Sequence, residues 1–159
     1  MNFKISILLT PFLLIFSLNA IGTGNMVFSG LLIEPPPCIV NNGTVIDIPF
    51  NEISVDSVDG VNHIQQVPYT LSCIPDSKWD LKLTLSGPKA TFDSGTLQTN
   101  VDALGIKVYI NSEVFELDTP IVVDAANLPR IDAVPIRRPG STLTEQAFSV
   151  SATLQAEYQ

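Results

Sequence analysis

Residues 148–159 read FSVSATLQAEYQ, which puts Phe148, Val150, Ala152, Leu154, Ala156 and Tyr158 on one face and Ser149, Ser151, Thr153, Gln155, Glu157 and Gln159 on the other. Side chains alternate across a strand, so these twelve residues of unbroken period two predict a strand with one buried face. The same alternation recurs upstream in Val67, Tyr69, Leu71 and Cys73, in Trp79, Leu81, Leu83 and Leu85, and in Ile106, Val108 and Ile110. Val45-Ile46-Asp47-Ile48-Pro49-Phe50 is a further strand, and Pro49, with no N–H to donate, marks an edge or a break in it. Asn111-Ser112 lies between YI and EVFEL as a short hairpin connection. Prolines at 68, 75, 88, 120, 129, 135 and 139 punctuate the rest, and no helical stripe of useful length follows the first thirty residues. Many short strands with regular turns predict an all-β antiparallel sandwich of immunoglobulin type.

One stretch does not fit a paired strand of that sandwich. Residues 25–34, NMVFSGLLIE, place Met26, Phe28, Gly30 and Leu32 on one face and Val27, Ser29, Leu31 and Ile33 on the other, so both faces carry apolar groups. Pro35-Pro36-Pro37 follows, a stiff extended spacer without backbone donors. Two readings follow: a first strand that folds back through a proline-rich corner, or a strand meant for another molecule's sheet by β-augmentation.

The beginning of the chain reads as an address label. Lys4 supplies a positive start and ISILLTPFLLIFSL an apolar run, shorter than the roughly 20 residues a membrane-spanning helix needs. Residues 1–22 are therefore expected to be a signal peptide, cleaved after Ala20 or Gly22. Export gives Cys38 and Cys73 a meaning: an even pair 35 apart, with no C-x-x-C unit and no neighbouring histidine, predicts a structural disulfide.

Composition excludes several classes of function. The 159 residues carry sixteen acidic and eight basic side chains, a formal charge of −8, with no cluster of Lys or Arg, so no nucleic-acid partner is expected. Charged residues make up 15% and apolar ones 45%, a globular composition. The single histidine, His63, lies in DGVNHIQQ and reads as an exposed loop residue; alone, it leaves no material for a catalytic triad or a histidine metal site. Asp56 and Asp59 in SVDSVDG lack the later ligands of a calcium loop and read as turn residues. Asn42-Gly43-Thr44 fits a glycosylation sequon, and Arg137-Arg138 beside Pro139-Gly140 reads as a solvated turn. No nucleotide-binding or nucleophile-elbow motif occurs, so no enzyme, cofactor or metal is expected.

Taken together, the leader, the alternating stretch from Met26 to Leu32, the PPPC junction, Cys38 and Cys73, and the closing strand with its penultimate Tyr158 resemble the pilus (fimbrial) subunits of the chaperone–usher pathway, most of all the minor, tip-proximal subunits of P-type pili. The resemblance departs at Gln146, the fourteenth residue from the end, where many pilins carry glycine; the nearest earlier glycine is Gly140. It implies an incomplete immunoglobulin-like sandwich, completed by a donor strand from a chaperone or a neighbouring subunit. Residues 23–37 would then be the N-terminal donor-strand extension and proline spacer, and residues 38–159 the pilin domain. Met26, Phe28, Gly30 and Leu32 would fill the next subunit's groove, while Phe148, Val150, Ala152, Leu154, Ala156 and Tyr158 would border this subunit's own acceptor groove. Head-to-tail contacts of this kind do not close on themselves and build an open fibre. The implied partners are a periplasmic pilus chaperone, an outer-membrane usher, and neighbouring subunits or a tip adhesin in an adhesive pilus at the cell surface. A second reading is a secreted, self-contained carbohydrate-binding or adhesin module with a complete β-sandwich. Against it, Trp79 is the only tryptophan and alternates with Leu81 as a packing residue.

Overall fold

The computed structural model describes residues 24–159, so the expected signal peptide lies outside the described residues. Residues up to Leu32 belong to one unit and Ile33–Gln159 to a second. In the first, residues 24–32 form no regular secondary structure, and Phe28 and Leu32 are 87% and 99% exposed.

The second unit is built from eleven short strands: β1 (Cys38–Val40), β2 (Gln65–Gln66), β3 (Leu71–Cys73), β4 (Leu81–Ser86), β5 (Lys89–Ala90), β6 (Asp93–Gln98), β7 (Leu104–Ile110), β8 (Glu113–Val114), β9 (Ile121–Val123), β10 (Ile131–Arg137) and β11 (Thr153–Tyr158). All pairings are antiparallel. One sheet runs β2-β10-β7-β6-β5 with β8 against β7, a second runs β11-β4-β9, and β1 pairs with β3 alone. Alternation creates the layer between the sheets. Leu83 and Leu85 of β4 and Ile106, Val108 and Ile110 of β7 turn inward into one core with Phe115, Leu117 and Ile131. Phe115, Leu83 and Val134 are fully buried. The architecture is the incomplete immunoglobulin-like sandwich, all-β and antiparallel.

Local chemistry explains several turns. Asn111 and Ser112 have φ of 49° and 70°, the pair of positive values that a two-residue hairpin with native strand twist requires, and Asn tolerates that region better than most residues. Asp59 Oδ1 accepts from the N–H of Val61 and Asn62 at 2.9 and 2.8 Å; the Asn62 bond above all, with that of Val61, holds the carboxyl below its usual range. His63 is half-buried, not exposed as the sequence predicts, because its Nε2 lies 2.6 Å from Ser57 Oγ in the short 3-10 turn Val55–Ser57.

Cys38 and Cys73 form a disulfide that joins β1 to β3 at directly opposed positions. It fixes the start of the domain just after the proline spacer. A closed loop of that length contributes on the order of 3–4 kcal/mol in the chain-entropy account.

The predicted strand over residues 148–159 is only half realised: Thr153–Tyr158 pairs with β4, and residues 148–152 pair with no strand. The cause is the partner's length. The ladder ends at Thr153 opposite Ser86, after which Gly87 and Pro88 turn the chain into β5 in the other sheet. Likewise Val67, Tyr69, Leu71 and Cys73 form no single strand: Val67 N–H donates to Ile131 O at 2.9 Å, Pro68 has no N–H to continue the ladder, and only Leu71–Cys73 forms a strand.

Candidate functional site

β11 is an edge strand: β4 lies on one side of it, and β1 lies against it without hydrogen-bonding to it. Gln159 and Asp80 exchange both backbone hydrogen bonds, at 3.0 Å each, on the β4 side. Ser149 uses its backbone in the same sense, its oxygen accepting from Asn100 N–H at 3.1 Å and its N–H donating to Asn100 Oδ1 at 2.7 Å. The backbone groups of Phe148 and Val150, on either side of Ser149, take part in no hydrogen bond among the described residues.

That open side is a groove of about 1200 Å³. Residues 47–55 form one wall, residues 143–150 form the other, and Val58, Val101, Leu104 and Ile106 lie between them. Each wall alternates over part of its length. Ile48 and Phe50 are half-buried between exposed Asp47, Pro49 and Asn51, and Phe148 and Val150 are half-buried on either side of exposed Ser149. Phe50 and Phe148 face each other with ring centroids 6.0 Å apart, at a distance typical of favourable aromatic pairs. Neither wall is a strand in the hydrogen-bonding sense, so the strand expected over residues 45–50 is not formed. Among the described residues, no backbone bond joins residues 47–53 to residues 143–148. A strand laid between them would find apolar side chains beneath it and unpaired backbone on both flanks, which is the template that strand addition uses.

Of the residues singled out in sequence, the groove brings together Phe148 and Val150. Leu154, Ala156 and Tyr158 lie beyond it in β11, packed inward opposite Leu85, Leu83 and Leu81 of β4. Ala152 is exposed, in a small hollow beside Gly87. The opposite wall, whose Ile48 and Phe50 read in sequence only as part of a strand, was not assigned to the groove, nor were Ile53 and the buried Leu143. Gln146 is exposed on the groove wall, its Nε2 donating to Thr144 Oγ1 at 2.9 Å. Met26, Phe28, Gly30 and Leu32 are all exposed in the other unit. Among the described residues no group of His, Cys, Asp or Glu has the arrangement of a metal site.

Comparison with known proteins gives a consistent picture. The chain is 30% identical over 141 residues to the fimbrial-like protein YfcQ of Escherichia coli strain K12, covering 85% of this chain and 87% of that one. It is 31% identical over 142 residues to the fimbrial-like protein YfcR of the same strain, covering 85% and 81%. Among solved structures, the P pilus adaptor subunit PapF superposes with a TM-score of 0.59 at 24% identity, covering 79% of this chain and 98% of that one. The P pilus rod subunit PapA gives a TM-score of 0.60 at 23% identity, covering 84% of this chain and all of that one. No protein-family model matches the chain.

Proposed function

The chain belongs to the fimbrial subunits of chaperone–usher pili, structural proteins and not enzymes, and from that premise we propose that it is a minor subunit or adaptor of an adhesive pilus, polymerising by donor-strand exchange and contributing to cell adhesion. The observation that carries this reading is the open groove between residues 47–55 and 143–150, with Ile48, Phe50, Phe148 and Val150 in its lining and, among the described residues, no backbone hydrogen bond joining its walls. In this reading the signal peptide directs the chain to the periplasm. There a pilus chaperone lends a strand to the groove and keeps an aggregation-prone edge covered. At the outer-membrane usher, the N-terminal extension of a neighbouring subunit replaces that strand. The chain's own extension, residues 23–37, does the same for the next subunit, with Met26, Phe28, Gly30 and Leu32 as its inward face and the three prolines as the spacer from the domain, residues 38–159.

The exposed, irregular character of residues 24–32 agrees with a segment whose partner is another molecule. Fold and groove alone would suit any host of an added strand; the relatives direct the choice to a pilus. Expression in the periplasm tests the reading. With a pilus chaperone the chain is expected in a soluble 1:1 complex, and without one it is expected to aggregate or be degraded. An equal periplasmic yield of soluble chain with and without a chaperone would contradict it.

A further inference from the structure

The groove is charged at its rim. Its lining includes the carboxylates of Asp47 and Glu52 on one wall and Glu145 on the other, and no Lys, Arg or His. All three residues are exposed, and among the described residues none is ion-paired. Three carboxylates elsewhere in the domain, Asp93, Asp118 and Asp132, do face a cation, respectively Lys107 at 2.7 Å, Lys89 at 3.0 Å and Arg130 at 2.8 Å, whereas the groove lining supplies none. A strand lying in the groove would therefore run past three carboxylates with no cation among the lining residues.

This chain's own donor segment is poorly suited to such a place. From Gly24 to Pro37 its only charged residue is Glu34, directly after the apolar run. A second copy docking head to tail would bring an acidic residue to an acidic rim, whereas a segment bearing Lys or Arg would meet complementary charge. We infer that the groove is occupied by the donor segment of a different chain, one with a lysine or arginine within or beside its alternating apolar residues, and that self-polymerisation is disfavoured. This deepens the proposed function and rests on its claim that the groove accepts a strand. Apolar contacts would supply the affinity; the rim would sort the partners.

The test takes the full exported chain, released from its chaperone in denaturant and refolded in dilute solution, offers it two amide-capped peptides, NMVFSGLLIE and its Glu34→Lys counterpart, and reads dissociation constants and the shift in melting midpoint. At low salt the lysine peptide is expected to bind about 3–10 times more tightly, as a few partly exposed charge pairs allow. The difference should shrink at about 1 M salt, where the Debye length is about 3 Å. In a chain carrying Glu52→Lys and Glu145→Lys, both exposed positions, the preference should disappear or reverse; an unshifted melting midpoint without peptide verifies the fold. Equal binding at low salt, tighter binding of the native glutamate peptide, or a preference indifferent to the double substitution would overturn the inference and leave strand acceptance intact. Failure of both peptides to bind would overturn the inference together with strand acceptance.

Discussion

Ile48→Asp is expected to abolish strand binding while leaving the sandwich folded. Ile48 lines the groove but belongs to neither of the two buried clusters that hold the domain together. Its side chain contributes to the floor on which a donor strand would lie. With aspartate there, a bound strand would lose an apolar contact and would press against a carboxylate deprived of water. The combined cost is on the order of 3 kcal/mol, roughly 100-fold in affinity. The chain should no longer be recovered with its chaperone, and a donor peptide should no longer raise its melting midpoint. Ile48→Leu, which keeps the apolar volume, should behave as the unmodified chain. If Ile48→Asp bound donors normally, the groove would not be the acceptor.

Deletion of residues 25–34 should have the opposite profile. The groove walls lie entirely in the second unit, so the shortened chain is expected to bind chaperone and donor peptides as before. It should be unable to complete the next subunit, and fibre growth should stop where it is incorporated. Phe28→Asp tests the same point more gently: Phe28 is 87% exposed, so the substitution removes no packing from its own unit. In a neighbour's apolar groove it would place a charge whose burial costs several kcal/mol unless the site rearranges. Counting subunits on either side of a tagged, shortened copy in assembled fibres distinguishes termination from continued growth. Continued growth would return residues 25–34 to the other reading, a first strand of their own domain.

The sandwich could be read from the sequence because its strands are amphipathic. β4, β7 and the inward face of β11 follow from period two alone, since burial of one face is a local pattern. Half of the groove was accessible in the same way, through Phe148 and Val150. The other wall was not. Ile48 and Phe50 alternate as any strand would, and alternation reports which face is buried; it carries no information on whether the edge has a neighbour. Pro49 hinted at an edge without saying which element lay across from it. Leu143 stands between polar residues and gives no periodic signal, yet it is buried with Val58 and Leu104. The reach of β11 also depended on a non-local fact, the departure of β4 at Gly87, to which residues 148–159 are blind. A groove exists where a pairing partner is lacking, and single-chain periodicity does not encode a missing partner.

On this account a donor strand lies between the two walls of the groove and pairs with the backbone of both. Hydrogen exchange measures this directly, in the chain lacking residues 25–34 so that no donor is present. The amides of Phe148 and Val150, together with those of Ile48 and Phe50, should exchange quickly alone and be slowed more than about 100-fold by a donor peptide, while the β7 and β10 amides stay protected throughout. Strong protection of both walls without any donor would mean that the sandwich is already complete, and would contradict the account.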